Sequence, residues 1–148
     1  MKGLVSARAL TAWRSFLRAH AAAVSAIEAD LDRRGLVQLT WYDVLVAVNS
    51  APERRLRMSE LADRLVLTRS NATRLVDKLE AARLVERRRA DDDGRGAVVV
   101  LTAAGRMSLR RAWPVYATGI NRYFAARLKD RELDVMADAL SRIDSRAR

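Results

Sequence analysis

Apolar residues recur along this chain in a helical rhythm that is broken once. Between about Ser6 and Arg33, the residues Leu10, Trp13, Leu17, His20, Val24, Ile27 and Leu31 follow one another at spacings of three and four. That is one stripe of an amphipathic helix with a heptad-like period. Gly35 is a plausible stop. A second helix is expected to open at Leu39-Thr40, with Thr40 as cap and Asp43 three residues later in a capping-box position, and to run to about Asn49 before Ala51-Pro52-Glu53 breaks it. Two short helices follow. Ser59 is the expected cap of Glu60 to Leu65, and Thr68 that of Arg69 to about Ala82, with Val66-Leu67 as the turn between them. Helices joined by so short a turn match a helix-turn-helix.

After Leu84 the period changes. Val85 to Arg89 can be extended, Asp91 to Gly96 is rich in residues that tolerate positive φ, and Ala97 to Leu101 is β-branched. Together they predict a β-hairpin directly after the helix pair, with Arg57-Met58 as a short third strand. A helix pair followed by a hairpin is a winged helix. Thr102 then caps a long helix, which Pro114 is expected to kink or split. Asp130 caps a last one, striped by Leu133, Met136, Leu140 and Ile143.

Composition narrows the chemistry. The 148 residues fit one domain, and no apolar run reaches the roughly 18 to 20 residues that span a bilayer. Met1 to Leu10 lacks the apolar stretch of a secretory signal, so a cytoplasmic protein is expected. With no cysteine and one histidine, His20, neither a metal site nor a cofactor is expected. No nucleophile beside a base, phosphate-cradling glycine loop or carboxylate-histidine cluster stands out, so no enzyme is expected.

The formal net charge of +10 favours a polyanionic partner, because each neutralised phosphate releases condensed counterions. Only Lys2, Lys78 and Lys129 are lysines, so the remaining basic residues are arginines, which suit bidentate contacts to phosphate and guanine. A GC-rich coding bias would also produce them. Charge alone does not locate a surface: residues 53 to 95 carry only +3 of the total. The stretch from 68 to 89, with seven basic and three acidic residues, is the better pointer.

Residues 61 to 87, reading LADRLVLTRSNATRLVDKLEAARLVER, resemble the MarR (multiple antibiotic resistance regulator) family. So do Asp93-Gly94-Arg95 followed by Val99, Leu101, Thr102 and Gly105, and Leu39-Thr40 before them. The motif-level likeness covers roughly residues 39 to 106. Ala82 departs from it, since a more typical member has glycine near that helix end. The resemblance implies a mainly α fold: a winged helix-turn-helix with a small β-hairpin wing, flanked by N- and C-terminal dimerisation helices. The expected organisation is a single domain over 1–148. Residues 36–105 would be the DNA-binding region, and 1–35 with 106–148 the helical dimerisation region. The implied partners are double-stranded DNA, a second copy of the chain and a small effector, often an aromatic acid.

In such a head the second helix of the pair enters the major groove by its N-terminal half, here Thr68 to Arg74. Ser70, Asn71 and Arg74 are the expected base readers, since arginine pairs with guanine and asparagine with adenine. Thr73 is also small and polar enough to reach a base edge, and Thr68 and Arg69 are placed for phosphate. Arg95, held by Asp93, is expected to enter a narrow minor groove. Of Arg87, Arg88 and Arg89, alternation leaves at most one or two facing phosphate. Trp13, His20, Trp41 and Asp43 have two readings: walls of an effector pocket, or core packing, an interface histidine and a helix cap. Beside the sequence-specific regulator, two readings stay open. One is a non-specific architectural DNA-binding protein, and the other a winged helix used for protein association.

Overall fold

A computed structural model describes residues 4–90 and 96–143 of the chain. In order these form α1 (Ala7–Asp32), α2 (Leu39–Asn49), a 3-10 turn (Pro52–Arg54), β1 (Arg55–Arg57), α3 (Met58–Arg64), α4 (Arg69–Ala81), β2 (Val85–Arg89), β3 (Ala97–Leu101), α5 (Ala103–Tyr123), a second 3-10 turn (Ala125–Arg127) and α6 (Asp130–Ser141). The architecture is mainly α, with one small antiparallel sheet of order β1-β3-β2 among the described residues. No helix among them is long and apolar enough to cross a membrane.

The chain divides into two compact units. One comprises residues 31–114, and the other comprises residues up to Asp30 together with those from Val115 onward. The 31–114 unit is a winged helix. Its core is Val44, Leu45 and Val48 of α2, Leu61 of α3, Val76 and Leu79 of α4, and Val85 and Val99 of the sheet, all fully buried. Leu56 on β1 faces Val99 across the ladder, and Val85 faces Leu101. The third strand is therefore Arg55–Arg57, and Met58 opens α3. Burying Leu56 draws the preceding residues, in place of Met58, into the sheet.

Three helix ends in this unit close in the same way. Leu36 N–H donates to the Leu31 carbonyl and Gly35 N–H to Asp32. Leu67 repeats the pattern on Ala62 and Val66 on Asp63, and Leu84 repeats it on Leu79 and Arg83 on Glu80. This is the Schellman pairing, which puts the residue after the cap in the left-handed region. Only the first uses glycine: Gly35 has φ 61°, but Val66 has 56° and Arg83 58°. At the third end the left-handed residue is Arg83, not Ala82, whose φ is −79°. The missing glycine at 82 therefore leaves the end of α4 intact.

The helix starts differ from expectation in two places. Gln38, not Thr40, precedes α2, and the Thr40 hydroxyl donates to Gln38 Oε1 (3.3 Å). Buried Leu39 has become part of the first turn, so Thr40 lies inside it. Likewise α3 starts at Met58, with Glu60 accepting from the N–H of Arg57 (3.3 Å), so Ser59 is not a cap. Pro114 does not split α5, which runs unbroken through it. Both Pro114 and Arg110, whose carbonyl loses its helical donor, are exposed, so solvent can satisfy that carbonyl.

In the other unit α1 and α5 come close at Gly119, where a β-carbon would sit 2.7 Å from Ile27 Cγ1. One turn further, Tyr123 Oη donates to Asp30 Oδ2 (2.8 Å). The sequence stripe of α1 divides here. Ile27 is buried, while Leu10, Trp13 and Leu17 are exposed in the isolated chain. Val135 on α6 and Ile143 just beyond it are exposed as well.

Candidate nucleic-acid interface

The reading head is built on α4. Thr68 is extended (φ −67°, ψ 153°), and its Oγ1 accepts from the N–H of Asn71 (3.2 Å), satisfying one of the helix's first free donors. Ser70 Oγ lies 3.2 Å from Thr68 Oγ1, and the Thr73 hydroxyl donates to the Arg69 carbonyl (2.9 Å). Ala72, Val76 and Leu79 bury one face of α4. The opposite face therefore presents Ser70, Arg74 and Asp77, with Asn71 and Lys78 on one flank and Thr73 on the other. Arg69, Ser70, Asn71, Thr73 and Arg74 are all exposed. Six predicted residues thus gather within two turns of one helix start. The Thr68 side chain is already engaged as the cap.

Arg95 and Asp93 lie outside the described residues, so the wing tip expected from them has no structural account. The strands leading to it are in place, with Arg88 opposite Val98 and Arg89 opposite Ala97.

The wing arginines are not equivalent. Arg88 pairs with Glu86 on its own strand (2.9 Å). Arg87 turns to α4, where its guanidinium meets Asp77 (2.6 Å), Glu80 (3.1 Å) and the Thr73 carbonyl (3.1 Å). Its main-chain N–H donates to Glu80 Oε1 (2.8 Å). In the sequence Arg87 is one of three consecutive wing cations, and nothing in their alternation shows this network. The only hint is the acidic pair Asp77 and Glu80, one helical turn apart on the helix just before the strand.

The four residues read as pocket walls or packing fall in both units. Trp13 and His20 lie on α1, with the ring of Phe16 between them (centroids 6.1 and 6.3 Å apart). Trp41, half-buried, and Asp43, exposed, lie on α2 in the other unit.

The sequence profile of the MarR family matches residues 37–96, from just before α2 to just before β3. Over 108 residues the chain is 32% identical to the transcriptional repressor MprA of Escherichia coli K12. The matched stretch takes in 71% of this chain and 61% of that repressor, less than two thirds of the relative's length. Among solved structures, AbsC, a MarR family transcriptional regulator from Streptomyces coelicolor, superposes with a TM-score of 0.88 at 27% identity, over 96% of this chain and 95% of that one. Sco3205, another MarR family regulator from Streptomyces coelicolor, solved in complex with DNA, gives 0.88 at 27% identity over 98% and 94%. With a capped helix after a short turn, a three-stranded wing and flanking helices, the chain is similar to MarR family regulators along almost its whole length.

Proposed function

We propose that this chain is a sequence-specific, double-stranded DNA-binding transcriptional repressor that acts as a cytoplasmic homodimer and catalyses no reaction. The observation that carries this reading is the exposed, capped start of α4. It offers Ser70, Asn71 and Arg74 away from the buried face of α4, beside strand β2 with its three arginines. Those three residues read base edges in the major groove, and Thr73 lies at the edge of that contact. Arg69 and the Thr68 end of the helix meet phosphate, and Arg95 enters the minor groove. The structure of Sco3205 with DNA and the name of the repressor MprA support the same reading.

The dimer would form through the 1–35 and 106–148 regions. The exposed Leu10, Trp13 and Leu17 on α1 support this, because apolar side chains at helical spacing on a face with no cover in the single chain favour a second copy. A small aromatic or acidic effector would release the DNA, with Trp13, His20, Trp41 and Asp43 as its candidate contacts. A related structure, BpsR of Bordetella bronchiseptica, is described as regulated in DNA binding by 6-hydroxynicotinic acid.

The test is titration of the purified protein onto DNA from upstream of its own gene and onto scrambled DNA, at several salt concentrations. Tighter binding to the upstream duplex at near-physiological salt is expected. Equal, steeply salt-dependent binding to both would favour the architectural reading. Binding to neither would favour protein association.

A further inference from the structure

Asp77 occupies an awkward place for a DNA-reading helix. It lies seven residues beyond Ser70 and three beyond Arg74, on the same outward face of α4, with its side chain 54% exposed. A bare carboxylate there would meet the phosphate backbone and repel it. Arg87 reaches across from β2 to prevent this. Its guanidinium holds Asp77 at 2.6 Å and Glu80 at 3.1 Å and also donates to the carbonyl of Thr73, while its main-chain N–H is taken by Glu80. Thr73, Asp77 and Glu80 follow at intervals of four and three, one edge of the helix, so a single side chain grips two turns of it. At 26% exposure the Arg87 side chain is the least accessible of the three that make up this ion-pair cluster.

Resting on the DNA-binding reading above, we propose that Arg87 is a positioning residue of the reading head, which masks the Asp77 carboxylate on the DNA-facing side of α4 and fixes that helix to the wing strand without touching phosphate. The arginine fork is spent on three oxygens of the protein itself. Its charge serves the complex by removing a repulsion, not by adding a contact. Of the three consecutive wing arginines, Arg87 is thereby withdrawn from the phosphate-binding set.

The experiment uses a duplex selected from a random pool by the wild-type protein, titrated at several salt concentrations with Arg87→Gln, Arg87→Lys and the triple variant Asp77→Asn/Glu80→Gln/Arg87→Gln. Thermal melts are run on each. Arg87→Gln is expected to lose about tenfold in affinity, with the slope of log K against log salt unchanged. The triple variant is expected to return to within about threefold of wild type, because the unmasked carboxylates are gone and the amide introduced at position 80 still accepts from the strand N–H. Arg87→Lys keeps the masking charge and is expected to lose less than Arg87→Gln, which holds the proposal to account should Arg87→Gln fail to fold. A slope shallower by about one unit, with no rescue in the triple variant, would mean that Arg87 binds phosphate directly and would overturn the proposal. So would unchanged affinity in a folded Arg87→Gln. A wild-type protein that enriches no sequence would instead overturn the DNA-binding reading, and this proposal with it.

Discussion

The carbonyl oxygen of Leu84 stands 2.1 Å from the point where residue 105 would carry a β-carbon, and residue 105 is glycine. The same carbonyl accepts from the Thr102 hydroxyl (2.9 Å) and from its N–H (3.2 Å), and the Thr102 hydroxyl oxygen in turn accepts from the N–H of Gly105 (3.0 Å). The spacing from Thr102 to Gly105 is therefore a packing requirement. The end of α4, the end of β3 and the first turn of α5 converge on one carbonyl, and no side chain fits between them.

Gly105→Ala should accordingly destabilise the fold by about 2 kcal/mol or more, since the obstacle is backbone and cannot swing aside. Urea denaturation of the two proteins measures it. A variant as stable as the parent would mean that α5 can shift freely against Leu84.

Val66 takes a left-handed conformation that a β-branched residue rarely adopts, in the turn between α3 and α4, with its side chain largely exposed. Relief of that strain is worth roughly 1 to 2 kcal/mol. The extra freedom of an unfolded glycine offsets about 0.5 to 1 kcal/mol of it. Val66→Gly should therefore raise the melting temperature by a few degrees. A lower melting temperature would show that the Val66 side chain supports the turn by contacts that outweigh the strain.

Arg74→Ala should cost about 1 to 3 kcal/mol of affinity for a selected duplex and relax the preference at one base pair. Binding assays against single-position variants of the duplex would reveal it. An equal loss on random DNA would instead assign Arg74 to the backbone.

Leu17→Glu alters a side chain that the single chain leaves exposed, so the chain should still fold. On the proposed dimer, the expected change is in assembly: sedimentation at micromolar concentration should show a dimer for the parent and a monomer for the variant. A dimer that persists would remove this part of α1 from the interface.

Much of this was legible in the sequence. Thr68 is legible as a cap because a threonine before a run of helical spacing can satisfy a free N–H locally, within three residues. Strands β2 and β3 were legible because β-branched residues and a glycine-rich turn are local signals. The start of α2 at Leu39 is legible but its cap is not, because buried Leu39 joins the first turn and leaves Gln38, not Thr40, before it. Helix α3 opens at Met58, ahead of the expected Glu60, where the pairing of Leu56 with Val99 sets the boundary against the better capping residue Ser59. Of the kink or split expected at Pro114, the split does not occur, because one lost hydrogen bond on an exposed face does not divide a helix of 21 residues.

By itself the sequence determined the order of elements, the polar character of the first turns of α4 and the stripes of the terminal helices, because each depends on residues within a few positions of one another. Only the tertiary structure decided which arginine is free and which is spent. Arg87, Arg88 and Arg89 are indistinguishable as letters, and the partners of Arg87 lie seven, ten and fourteen residues away, brought into reach by the folding of β2 against α4. The need for glycine at 105 has the same origin. It is set by a carbonyl 21 residues earlier, and the distance between two backbones is not a property of either stretch of sequence.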